Sequence, residues 1–147
     1  MTTTTNNVEK IDEIVKVLNG GIEFYEDAIK KVDSEHVKSI FSKMILFRRN
    51  AVHKLQPLVI KQTGDVEDSS SLLVSIRQMY TDIKAKITDD DHTYVDQLEE
   101  VEDKTLEVIR DALDENNTIS VKETLLSLLS KAKVLHDEMK SLQALTA

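Results

Sequence analysis

The sequence predicts an all-helical protein, four long helices in a bundle with one shorter helix beside them, and three observations carry that expectation. Glycine and proline number only three and one in 147 residues, far fewer than a sheet-and-turn protein uses. Apolar residues recur at steps of three and four along four long segments, the period of a helix with one buried stripe. The breaks inside two pairs of these segments are short, so the paired helices must fold back on each other.

The first helix is expected over residues 7–32, on the seam Val8, Ile11, Val15, Leu18, Ile22, Tyr25, Ile29 and Val32. Gly20 and Gly21 fall inside it. Each costs roughly 0.5–1 kcal/mol relative to alanine, yet the period keeps its phase across them, so the helix is expected to run through, bent at most. A second helix carries Val37, Ile40, Met44, Phe47, Ala51, Leu55 and Leu58. Asp33 or Ser34 is its expected N-cap, because a short side-chain oxygen there accepts an orphan amide. Pro57 should kink or interrupt it and Gly64 should stop it.

A polar stretch, GDVEDSSS, precedes Leu72, Leu73, Ile76, Met79, Tyr80, Ile83 and Ile87, which define a shorter helix over 71–87. At 1.5 Å per residue it climbs roughly 24 Å, most of a bundle's height, and so reads as a crossover. The acidic run TDDD then opens a helix with charges suited to its positive end. That helix carries Tyr94, Leu98, Val101, Thr105, Ile109 and Ala112, and Ser120 with Glu123 forms a capping box for the last helix, with Val121, Leu125, Leu128, Ala132, His136 and Met139. Two hairpins joined by one long connection give the order up, down, crossover, down, up, the ferritin-like arrangement. A simple up-down-up-down bundle that includes the helix at 72–87 is the alternative. Residues 1–6 are expected to be a disordered tail and 7–145 a single domain.

Composition narrows the function. Twenty-seven acidic against nineteen basic residues give a net charge of −8, which repels nucleic acid in the absence of a segregated basic patch. No apolar run approaches the roughly 20 residues that span a bilayer and the N-terminus has no secretion signal, so a cytoplasmic protein without membrane or nucleic-acid partners is expected. There is no cysteine, so any metal would rest on carboxylates and imidazoles. Phosphate loops, His-Glu-x-x-His runs and nucleophile elbows are absent.

Helical wheels single out a polar set on the apolar seams. Glu102 lies about 40° from Leu98 at 100° per residue, pointing inward, while Glu99, Glu100 and Asp103 turn to the flanks or solvent. His136 falls between Ala132 and Met139, also inward. Glu26 borders the first seam beside Tyr25, and Arg48 borders the second, with Arg49 and His53 outside. Counted along the helices, Glu26, Glu102 and His136 fall within roughly 6 Å of one height. His36 is expected in solvent and the methionines at 44, 79 and 139 in the core. Leu46, Ile45 or Leu126 could mark a dimer surface.

The stretches LNGGIEFYEDA, IFSKMILFRRNAVHKL, LEEVEDKTLEVIRDAL and LHDEMKSL resemble a bacterial ferritin-like four-helix-bundle family of unknown function, over about residues 8 to 143. The resemblance implies the bundle and its crossover and brings no established activity. Metal-binding members of the ferritin-like fold place a glutamate on each of two helices and Glu-x-x-His on each of the other two. Glu26, Glu102 and His136 match three of those positions. The second helix has no Glu-x-x-His and presents Arg48 instead, and Lys133 stands where the glutamate before His136 would be.

Two readings follow. In the preferred one, Glu102 belongs to a structural polar network with Arg48 or Tyr25 as partner, and the protein is a non-catalytic bundle acting through self-association or protein contacts, in a stress setting, with no cofactor. In the other, Glu26, Glu102 and His136 bind iron or another divalent metal.

Overall fold

The computed structural model describes residues 8–63, 70–88, 90–115 and 117–147. It contains five helices and, among the described residues, no strand: α1 Val8–Ile29, α2 Glu35–Thr63, α3 Ser70–Ala85, α4 Asp91–Leu113 and α5 Ile119–Thr146. The expected tail at 1–6 and the expected stop at Gly64 lie outside the described residues.

Each helix is where its apolar period put it, with local corrections at the ends. Ser34, of the two residues offered, caps α2: its Oγ accepts from the Val37 amide at 3.3 Å. Pro57 does not interrupt α2, which continues to Thr63. Proline has no N–H for the carbonyl four residues back, but Ala51 and Leu55 are buried ahead of it and packing holds the turn. The capping box at Ser120 does not form. Thr118 is the N-cap of α5 and accepts from the Val121 amide, which leaves Ser120 inside the first turn.

Neighbouring acids at the head of α4 divide the capping work. Asp90 accepts from the His92 amide at 2.9 Å and starts its own helix. The Asp91 carboxylate instead accepts from the backbone amides of Asp33 and Ser34, both at 2.9 Å. The α1–α2 turn is thereby tied to the start of α4 by charge-assisted bonds.

α1 packs on α2, α4 packs on α5, and the two pairs meet through α1 with α4 and α2 with α5, while α3 lies on α1. One core unites them, with Leu18, Tyr25, Phe41, Met44, Leu55, Leu98, Leu125 and Met139 sealed from solvent. At the far end of the α4–α5 pair, His92 Nδ1 meets Thr146 Oγ1 at 3.0 Å. Lys43 of α2 clasps Glu138 of α5 at 2.9 Å. Among the described residues no helix is long and apolar enough to cross a membrane.

The two glycines of α1 are accounted for by neighbours. A Cβ on Gly21 would lie 2.6 Å from the Arg48 Cζ, and one on Gly20 would lie 2.8 Å from Cδ2 of Tyr80. α1 therefore stays a continuous helix and gives up side chains where α2 and α3 each press a large polar-tipped group against its backbone.

Candidate functional site

Arg48 is among the largest fully buried side chains of the described residues. α2 carries it inward one turn before Ala51, and the missing side chain of Gly21 lets its guanidinium reach the α1 backbone. There Nη1 donates to the carbonyls of Val17 and Leu18 at 3.3 and 3.5 Å. Its other amino group donates to Glu102 Oε2 at 2.9 Å and to Thr105 Oγ1 at 2.7 Å. Thr105 in turn donates its hydroxyl hydrogen bond to the Val101 carbonyl. Tyr25 donates to the same Glu102 oxygen at 2.6 Å, and its ring lies 5.5 Å beneath the guanidinium carbon. Tyr80 of α3 completes the cluster by donating to the Val17 carbonyl at 2.6 Å.

The electrostatics follow from this packing. Burial and then the Glu102 charge hold the Tyr25 phenol well above its ordinary range, and the nearby guanidinium only partly opposes them. Burial pushes Tyr80 up to about 12, against a lowering by Arg48. Burial alone would ease the proton off Arg48, but Glu102 and the two phenols more than offset this and hold it above its usual value. The cluster is thus a cation–carboxylate pair with two neutral phenols. Glu102 Oε1 and Arg48 Nε have no hydrogen-bond partner among the described residues, so the pair is incompletely satisfied and stabilises less than its short distances indicate.

A ferritin-type metal centre in the bundle core needs several free carboxylates. Among the described residues of this cluster Glu102 supplies the one carboxylate, and its Oε2 is already held by a phenol and a permanently charged guanidinium. A divalent ion would have to displace that cation from a site with a single anionic ligand. The core residues do not fit a dinuclear centre.

The three residues expected to share a metal are not brought together. Glu26 is exposed and pairs with Arg49 on the surface. Glu102 is buried with Arg48 and Tyr25. His136 faces the flank of α4 instead of the bundle axis, its side chain 12% exposed. Its Nε2 lies 2.9 Å from Glu99 Oε2 and 2.6 Å from Asp103 Oδ1. Glu99, expected on the flank or in solvent, is therefore buried, and Ile45, offered as part of an exposed surface, is buried as well, unlike Leu46 and Leu126.

Sequence reasoning missed the second site because a wheel separates inside from outside but does not say which flank of a neighbouring helix is reached. The available signal was the spacing of four between Glu99 and Asp103, which sets both carboxylates on one face. Glu99, Asp103 and His136 each offer a ligand atom, all within 4.8 Å of one another. Burial, and then the Asp103 charge, raise the Glu99 carboxyl, while His136 and Lys140 act against the rise.

Two surface concavities flank the bundle. One, of about 500 Å³ between α1 and α3, is lined by both signs of charge, including Lys16, Glu23, Asp27 and Arg77. The other, of about 460 Å³ between α2 and α5, has Leu46, Phe47, Ala51, Leu128, Val134 and Leu135 on its walls, with Lys43, His53, Lys54 and Lys131 around them. Leu46 and Val134 are 61% and 60% exposed.

Comparison with curated proteins and with solved structures finds no match. A family model covers residues 6–115, taking in α1, α2, α3 and α4 whole, with Tyr25, Arg48 and Glu102 among them, and stopping short of α5 and His136. The chain belongs to the family described as Domain of unknown function (DUF2383).

Proposed function

We propose that this chain is a ferritin-like bundle in the up-down-down-up order, cytoplasmic, and that it works as a non-catalytic interaction protein. The Asp91 tie between the α1–α2 turn and the head of α4 supports that order, as does the depth at which Arg48 and Glu102 meet. The core carries a charge pair closed to solvent, which offers a substrate no reacting group. The observation that carries the interaction reading is the α2–α5 groove, where Leu46 and Val134 stand in solvent beside a continuous apolar wall. Exposed apolar surface of this kind, rimmed by polar groups, is the signature of a contact face.

Photocrosslinking in living cells tests it. A crosslinking side chain at position 46 or 134 should yield discrete protein adducts, and one at exposed Glu100 on α4 should not. No adduct, or equal yields from all three positions, would overturn the reading.

A second reading is favoured by the group on α4 and α5. Histidine with two carboxylates is a sound ligand set for zinc, iron or manganese, so Glu99, Asp103 and His136 form the metal candidate in place of the core trio. Elemental analysis of purified protein, repeated with Glu99→Gln and His136→Ala, decides it. Stoichiometric metal lost in both variants supports a bound ion, and equal, negligible metal in all three samples removes it.

A further inference from the structure

The groove between α2 and α5 differs in charge from the rest of the molecule. The chain carries 27 acidic residues, yet among the described residues no acidic one lines this groove, whereas Lys43, His53, Lys54 and Lys131 all do. Lys43 is clasped by Glu138. Lys54 and Lys131 are exposed, one on each helix. A protein with a net charge of −8 has gathered positive charge around this apolar concavity.

We infer that the groove receives an acidic amphipathic helix of a partner protein, with leucine-like side chains seated on Leu46, Val134 and Leu135 and carboxylates facing Lys54 and Lys131. This assignment rests on the interaction reading above and names the chemistry of its partner. Three physical points select that occupant. From Lys43 to Lys54 the α2 wall runs for about 16 Å at 1.5 Å per residue, long enough for three turns of helix with anchors at i, i+3 or i+4, and i+7. A second copy meeting face to face about a two-fold axis would set the basic rim of one groove against that of the other, and like charges across an interface oppose binding. The site is concave, which suits a rod better than a bilayer surface.

The test uses the full chain and a synthetic amphipathic peptide with leucines at that spacing and glutamates elsewhere, followed by fluorescence anisotropy. The glutamate peptide should bind one to one and more weakly as salt rises. Leu46→Asp and the pair Lys54→Glu/Lys131→Glu should each weaken it by roughly tenfold or more. Because all three positions are exposed, these variants should keep the fold, which circular dichroism verifies. The same peptide with lysine in place of glutamate should not bind.

Equal binding of both peptides, or of neither, overturns the inference. So does preferential binding to phosphatidylserine vesicles, which would make the groove a lipid contact. A dimer dissolved by Leu46→Asp would assign the groove to a second copy. If adducts still form at positions 46 and 134 while the glutamate peptide fails, the partner chemistry is wrong and the interaction reading stands. If adducts and peptide binding both fail, the two fall together.

Discussion

Arg48 and Glu102 meet at 2.9 Å with their side chains 0% and 1% exposed, an ion pair held by α2 and α4 in the middle of the protein. Removing one partner leaves a buried charge without its counterion, which costs about 3–5 kcal/mol. Arg48→Met should therefore destabilise the fold by that much in urea melts. Arg48→Met combined with Glu102→Gln should recover most of the loss, because the amide still accepts from Tyr25 and no net charge remains buried. A double variant as unstable as the sum of its singles would show that the two charges are not coupled and that the single loss does not come from stranding a partner.

Gly20→Ala and Gly21→Ala should both destabilise, against helix propensity, which alone favours alanine by roughly 0.5–1 kcal/mol. The added methyl collides with the Tyr80 ring in one case and the Arg48 guanidinium in the other. Both groups are anchored by hydrogen bonds and cannot swing aside, so an overpacking cost of about 1–3 kcal/mol applies. In an Arg48→Met background the Gly21→Ala penalty should shrink and the Gly20→Ala penalty should persist. Thermal melts of the parent and the five variants check this, and an unchanged Gly21→Ala penalty would place its cause elsewhere.

The cap of α5 separates two neighbouring hydroxyls. Thr118→Ala should cost about 1 kcal/mol, since its Oγ1 holds the Val121 amide. Ser120→Ala should stay within about 0.5 kcal/mol. Equal costs would mean that the helix begins later than Ile119.

Glu99 gives a pH dependence with a definite sign. Burial and Asp103 raise its carboxyl in the folded state, so the folded chain holds this proton to higher pH than the unfolded chain does. Between the two pKa values the unfolded state binds fewer protons, and stability falls as pH rises. Where Glu99 is ionised it is thus a net cost to the metal-free protein, and Glu99→Gln should melt higher than the parent there. The difference should close as pH falls through the raised value, where the parent's carboxyl is protonated. A lower melting temperature for Glu99→Gln above the raised value would show that the His136 contact outweighs burial.

The inward direction of Glu102 and Arg48 was legible because rotation about a helix axis is set by the 100° step, and a charged residue in phase with leucines has one place to point. Partnership was legible only in part. Tyr25 and Arg48 could be offered to Glu102 because their seams face a common interior, but Thr105 and the α1 carbonyls that share Arg48 depend on how deeply the guanidinium lies. The glycine pair was visible as an anomaly, a costly doublet inside an unbroken period, and its cause lies on two other helices.

The sequence by itself determined the helical class, the five segments and which face of each is apolar, because these rest on spacing along one chain. Tertiary structure decided which polar groups meet. His136 goes to Glu99 and Asp103, Glu26 to Arg49, and Glu102 keeps Arg48 and Tyr25. The basic rim of the α2–α5 groove was settled there too. The physical reason is that a helix's own period fixes angle, while contacts between helices also require axial register and the choice of flank. A shift of one turn, about 5.4 Å, preserves every apolar stripe and exchanges every polar partner.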